Sequence, residues 1–143
     1  MNLKAIKIGK AHEPYTSLVK TYPKRLKPFC PMELVYLKDN PALVKYLEKA
    51  KGAFILLCDE RGSRPDSVLF SKYLLEKLSF HQQVLIVVGD AYGFSEEIRE
   101  KAHGLICLSN FVLANDIAWL VLNEQLYRAF MIKNGHAYHH GDS

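Results

Sequence analysis

Short apolar runs alternate with longer amphipathic stretches from one end of the chain to the other. The runs at Leu3 to Ile8, Glu33 to Leu37, Ala53 to Cys58, Val84 to Val88 and Leu105 to Leu108 are rich in Val, Ile and Leu, the pattern of strands covered on both faces. Helices are expected between them, over Tyr15 to Lys27, Pro41 to Lys51, Pro65 to Ser79, Ser95 to Ala102 and Asn115 to Asn134. Asn40 before Pro41, and Ser95 before Glu96 and Glu97, supply side-chain oxygens and early carboxylates suited to a helix start. Pro23 predicts a kink or break in the first helix, because an interior proline removes a backbone donor. The last helix is apolar on more than one face, with Ile117, Trp119, Leu120, Val121, Leu122, Leu126, Phe130 and Met131, where a helix covered on one side shows a single stripe. It is expected to pack against its own sheet and against a second subunit.

This alternation predicts one α/β domain over residues 1–143, with a mostly parallel sheet and helices on both faces. Sheets of that kind bind ligands beyond the carboxyl ends of their strands. Three loops therefore matter: Asp59-Glu60-Arg61-Gly62, Gly89-Asp90-Ala91-Tyr92-Gly93 and Ser109-Asn110-Phe111-Val112-Leu113. Gly89 and Gly93 frame a turn where backbone can approach a ligand, although glycine between strand and helix is more often ordinary turn chemistry. Their spacing fits neither the dinucleotide fingerprint nor the phosphate loop, which argues against NAD and ATP.

Composition narrows the classes. At 143 residues and 49% hydrophobic, the chain can bury one core and leaves no room for a second domain. Its uncharged apolar runs fall short of the roughly 20 residues that cross a bilayer, and its opening lysines sit inside an alternating pattern, unlike a signal peptide. A cytoplasmic protein with no membrane or DNA partner is expected. Cys30, Cys58 and Cys107 are odd in number and widely spaced, which reads as reduced core thiols. No cysteine spacing suggests zinc and no metal is expected; the scattered His12, His81 and His103 read as solvated or hydrogen-bonded. The net charge of +4 is uneven, with eight Lys/Arg against three Asp/Glu in residues 1–40. Lys20, Lys24, Arg25 and Lys27, beside Tyr15 and Tyr22, form either a phosphate-facing surface or a solvated helix face.

Glu124 and Arg128 stand one turn apart in the favourable acid-first order and can pair. Spacing alone favours a structural role for them. The tail His136-Ala137-Tyr138-His139-His140 offers groups that stack on a base or move a proton near neutral pH, though chain ends commonly fray.

Taken together, Lys4-Ala5-Ile6-Lys7-Ile8-Gly9-Lys10, Glu13-Pro14-Tyr15, Asp59-Glu60-Arg61-Gly62, Val88-Gly89-Asp90-Ala91-Tyr92-Gly93, Leu108-Ser109, Glu124-Gln125-Leu126-Tyr127-Arg128-Ala129 and Tyr138-His139 resemble the SPOUT enzymes that methylate N3 of a pseudouridine in large-subunit ribosomal RNA. The resemblance implies a deep C-terminal trefoil knot, a homodimer, and large-subunit ribosomal RNA or the assembled ribosome as partner. It implies S-adenosylmethionine as cofactor, held by Cys58, Gly89, Leu108, Ser109, Asn110, Phe111, Val112 and Leu113. By the same resemblance His139 or Tyr138 handles a proton, Arg128 contacts phosphate or base, and Glu124 holds Arg128. Two alternatives stay open: a non-catalytic RNA- or ribosome-binding relative of the same fold, and a methyltransferase acting on another RNA.

Several positions depart from the family pattern. A Gly-Gly pair reads Gly89-Asp90, a Pro-His pair reads Ala114-Asn115, an arginine one turn later reads Trp119, and the tail's Pro-Tyr-His-Lys or Pro-Tyr-His-Arg reads Ala137-Tyr138-His139-His140. Asp90 is expected to bind an amino group or repel RNA, and Trp119 to add apolar surface where a cation would stand.

Overall fold

In the computed structural model, which describes residues 1–139, all strand pairings are parallel. β1 (Asn2–Ile8), β2 (Met32–Leu37), β3 (Phe54–Ser63), β4 (Gln83–Val88) and β5 (Gly104–Ile106) lie in the order β2-β1-β4-β3-β5. The helices are α1 (Tyr15–Val19), α2 (Thr21–Leu26), α3 (Asn40–Lys49), α4 (Ser67–Phe80), α5 (Glu96–Lys101) and α6 (Asn115–Lys133).

The strand period of two divides the apolar residues between two cores. Leu3, Ala5, Leu56, Val84 and Ile86 face α1, α2, α4 and α6, whereas Ile6, Ile8, Leu57, Leu85 and Val87 face α3 and α5. Helices thus cover both faces, as the continuous apolar runs require. None of the helices among the described residues is long and apolar enough to cross a membrane.

Local chemistry shifts several boundaries. The first helix breaks at Lys20, not at Pro23, which falls in the first turn of α2, where a missing N–H leaves nothing unpaired. Asp39, not Asn40, caps α3 by accepting from the Ala42 amide at 3.0 Å. Ser95 caps α5 as expected, accepting from the Ile98 amide at 3.4 Å. α4 begins at Ser67, behind Asp66, whose carboxylate accepts from the Leu69 amide at 2.8 Å.

The largest difference lies in β3. The stretch Asp59-Glu60-Arg61-Gly62, expected as a loop, continues the strand to Ser63 with a shift in register, so that Ile106 pairs with both Cys58 and Ser63. The Cys107 amide then donates to the Ser63 carbonyl at 2.8 Å. A side chain at Gly62 would place its Cβ 2.5 Å from the backbone of Leu105 and Ile106, so only glycine permits this crossing.

α6 packs on α4 and α1, with Trp119, Leu122, Asn123, Leu126, Ala129, Phe130 and Met131 buried. Ser71 donates to the Ala129 carbonyl at 2.6 Å and Ser67 to Gln125 at 2.6 Å, which fixes α4 against it. Trp119 corrects an expectation: it is 0% exposed, its indole N–H donating to the Tyr36 hydroxyl at 3.3 Å. It extends the core instead of offering a surface. Ile117, Val121, Glu124 and Arg128, on another face, remain partly open.

Candidate functional site

The carboxyl ends of β3 and β4 and the segment after β5 surround a cleft of ≈ 500 Å³. Cys58, Gly89, Leu108, Ser109, Asn110, Phe111, Val112 and Leu113, the set that the resemblance implies for the cofactor, all line it. Each wall has its own anchor. On the β3 side, the buried Asp59 carboxylate accepts from Arg99 Nε at 2.9 Å, and Arg99 also meets Glu96 at 2.9 Å. Burial pushes the Cys58 thiol well above its usual range, with Cys107 and Asp59 adding to the effect, so the cleft presents a neutral S–H.

On the β4 side, Asp90 turns its carboxylate inward to accept from the Tyr92 amide at 2.9 Å, while the Gly93 amide donates to the Asp90 carbonyl at 3.0 Å. Gly93 has φ +75, a conformation that costs an L side chain free energy. Gly89 is glycine for another reason: a Cβ there would meet the Phe94 ring at 3.1 Å. The Asn115 side-chain amide donates to the Gly89 carbonyl, tying this turn to the start of α6.

The third wall bends through its own side chains. The Cys107 thiol donates to the Ser109 carbonyl at 3.0 Å, and the Ser109 hydroxyl accepts from the Phe111 amide at 2.9 Å. Phe111 is 83% and Val112 98% exposed, so two large apolar groups stand in water at the cleft's rim.

The second predicted set forms a separate cluster. Arg128 donates to Glu124 at 2.9 Å through Nη2 and to Nδ1 of His139 at 2.9 Å through Nη1. The Tyr138 hydroxyl donates to Glu124 at 2.7 Å, and the Arg128 guanidinium lies 4.8 Å from the Tyr138 ring centroid. Gly135, at φ +64, ends α6 and turns the tail back along it, with the His136 amide donating to the Met131 carbonyl at 2.9 Å, in the manner of a glycine helix stop. Burial and the bond to Glu124 push the Tyr138 phenol up to about 12. Burial works against ionised Glu124, but hydrogen bonds from Arg128 and Tyr138 outweigh it and hold the carboxyl below its usual range. His140 lies outside the described residues.

These two sets do not meet within one copy. Ala118 is the last α6 residue on the cleft, and Arg128 lies about 15 Å farther along the helix axis. Tyr127 joins the cluster to the basic stretch: it meets Tyr138 edge-on at 4.9 Å, and Arg25 stands 5.7 Å over it and 5.6 Å over Tyr22. Lys20, Lys24 and Lys27 are exposed nearby along the chain.

A third group escaped sequence reasoning. Lys7, its side chain 2% exposed, lies 3.7 Å from Asp116 Oδ1 and donates to the Lys10 carbonyl at 2.9 Å. Desolvation draws its ammonium below the usual range, opposed by Asp116 and Asp90. The other Asp116 oxygen lies 3.0 Å from Nδ1 of His12. A lysine inside the run Ala5-Ile6-Lys7-Ile8 was the available signal; its partner's position was not. Among the described residues no group of three or more His, Cys, Asp or Glu is placed to hold a metal ion.

Comparison with known proteins gives the family and the fold. A family model described as "Predicted SPOUT methyltransferase" matches residues 1–139. The Thermus thermophilus protein named ribosomal RNA large subunit methyltransferase H is 34% identical, over 97% of this chain and 98% of its own length. A protein of the same name from Dictyoglomus thermophilum is 32% identical over 98% of this chain and its whole length. Among solved structures, a probable rRNA-methyltransferase from Porphyromonas gingivalis superposes with TM-score 0.53 at 15% identity, covering 92% of this chain and 69% of that one. The SpoU methyltransferase AviRb from Streptomyces viridochromogenes, in complex with AdoMet, does so with TM-score 0.51 at 12% identity, covering 90% and 57%.

Proposed function

Because the chain belongs to the SPOUT methyltransferase family, we propose that it transfers a methyl group from S-adenosylmethionine to large-subunit ribosomal RNA, at N3 of a pseudouridine. The observation that carries this reading is the convergence of the second half of β3, the turn after β4 and the segment after β5 on one cleft at the carboxyl edge of a parallel sheet. Backbone groups of Gly89 and of Leu108 to Leu113 would hold the cofactor there, beside a Cys58 thiol kept neutral by burial, which does not compete for the methyl group. When bound, the cofactor supplies a methyl on positive sulfur. The chain's task is then to align a nitrogen with it and to take away a proton.

Arg128, Tyr138 and His139 are the groups proposed to meet the RNA, with Glu124 holding Arg128. They would do so from a second copy. Ile117, Val121, Glu124 and Arg128 form one partly open stripe on α6, and two-fold pairing makes such a stripe its own partner. An antiparallel crossing near Val121 would set Arg128 of the partner subunit opposite Ala114, which lines the cleft. Exposed Phe111 and Val112 at the rim support a covered interface in the same place. The threaded chain end implied by the resemblance belongs to this reading, and the double pairing of Ile106 to Cys58 and Ser63 supports it.

Incubating unmodified ribosomes and free ribosomal RNA with labelled donor, then mapping the product, tests the reading. Cofactor binding without methyl incorporation into either would mark a non-catalytic relative. Label found in transfer RNA would move the substrate to another RNA. Sedimentation tests the pairing: Val121→Glu should give monomers that bind donor but do not transfer it.

A further inference from the structure

Accepting the methyl group requires a nitrogen that has given up its proton, so some side chain at the cleft must offer a lone pair near neutral pH. The tail cluster is poorly suited to that task. The Tyr138 hydroxyl is already a donor to Glu124, and Glu124 accepts from Arg128, Tyr138 and Gln125. A guanidinium only donates, so Nδ1 of His139 is the acceptor of the Arg128 bond and the ring proton of the neutral imidazole sits on Nε2. Asp59 is ion-paired to Arg99, and Asp90 accepts within its own turn.

His12 has the opposite arrangement. A carboxylate only accepts, so the 3.0 Å contact with Asp116 places a ring proton of His12 on Nδ1, and in the neutral ring the lone pair is then on Nε2, on a side chain 69% exposed. Asp116 is itself fixed from behind: its Oδ1 is buried and faces the ammonium of Lys7. This ordering of cation, carboxylate and imidazole resembles the logic by which an aspartate sets the tautomer of a basic histidine. His12 and Asp116 stand beside the cleft and not in its lining. Asp116 follows Asn115, which lines the cleft and holds the Gly89 carbonyl. His12 lies in the loop leaving β1, where the pairing of Lys7 with Val88 brings that strand's end beside Gly89 and Asp90.

We propose that His12, oriented by Asp116 and Lys7, takes the proton from the nucleobase nitrogen that receives the methyl group. The proposal rests on the methyltransferase reading above. The N–H proton passes to Nε2, the nitrogen's electron pair forms the bond to the methyl carbon, and the pair of the broken carbon–sulfur bond stays on sulfur. The imidazolium then returns its proton to water. The charged groups around the ring are Asp116 on α6, Lys7 on β1 and, in the loop, Lys10 and Glu13, the last accepting from Ser17 at 2.6 Å. Asp90 acts on Lys7 from the β4 turn.

Three measurements decide it. His12→Ala should lower the rate at saturating donor by about 10²- to 10⁴-fold, with donor affinity by calorimetry unchanged, and added imidazole should restore part of the loss. Asp116→Asn should move the acidic limb of the rate profile. In the protein without donor, nitrogen NMR should find His12 as the Nδ1–H tautomer, and Asp116→Asn should mix the tautomers. An active wild type whose His12→Ala variant keeps the same rate and pH profile overturns this step alone, as does a slow variant that imidazole does not rescue. A wild type that methylates no ribosomal substrate overturns the reading beneath it as well.

Discussion

The cleft and the tail cluster hold their shapes by different means. Around the cleft, anchors such as Asn115 on the Gly89 carbonyl and Ser109 on the Phe111 amide fix backbone, and the exposed side chains of Phe111 and Val112 carry none of that geometry. In the tail cluster the geometry is made by side chains alone: Glu124, Arg128, Tyr138 and His139 hold one another. A site built of backbone tolerates changes in its visible residues and fails when a hidden support goes. A site built of charges fails at any member.

Gly62→Ala should break the backbone-built side hardest. Its Cβ would sit 2.5 Å from two backbone atoms that cannot swing aside, so a loss of about 3 kcal/mol, seen as a fall in melting temperature of roughly 10 °C, is expected. An unchanged melting curve would mean that β3 relaxes there freely. Arg128→Ala should lower methyl transfer by about 10²-fold or more, with donor affinity intact, because that side chain is not among those that line the cleft of its own copy. Parallel loss of donor binding would erase the distinction between the two regions. Asn115→Ala inverts the pattern: donor dissociation constant rises about fivefold, for one lost hydrogen bond of roughly 1 kcal/mol, while the rate at saturating donor holds. Equilibrium dialysis with single-turnover kinetics separates the two.

The smallest effect concerns pH. Tyr138 is raised to about 12 in the fold from roughly 10 unfolded. The stability it lends is therefore complete below about pH 10 and fades as pH climbs toward 12. Glu124, held below its usual range, acts in the opposite sense, lending stability above that range and losing it as pH falls through the lowered value. Urea unfolding of Tyr138→Phe should show a smaller alkaline decline, Tyr22 and Tyr73 being raised by burial as well, and a weaker acidic one, since Glu124 loses a hydrogen bond that holds it low; equal declines in both proteins would place the phenol elsewhere.

The sequence displayed the strands well because a strand buried on both faces must be apolar throughout, as β4 is from Val84 to Val88. The cleft followed, since strand ends predict where loops converge. The continuation of β3 through Asp59-Glu60-Arg61-Gly62 was hidden, because those polar residues look like a turn and are held by pairing with β5. The exchange of Asn40 for Asp39 as cap is a one-residue choice between two competent side chains. Trp119 looked like new surface because chemistry alone does not say which face of α6 it joins. The contact between His12 and Asp116 spans 104 residues, and no local spacing encodes it.

Ile106 has one further consequence. It answers to both halves of β3, with the amides of His103 and Cys107 bonded on either side to the carbonyls of Ile55 and Ser63. A three-residue strand at a sheet's margin ordinarily frays, and its amide hydrogens trade with solvent through small local openings. Here neither end can lift unless the other does. Those amides should surrender their hydrogens to deuterium only when the whole molecule opens, making the shortest strand one of its slowest clocks.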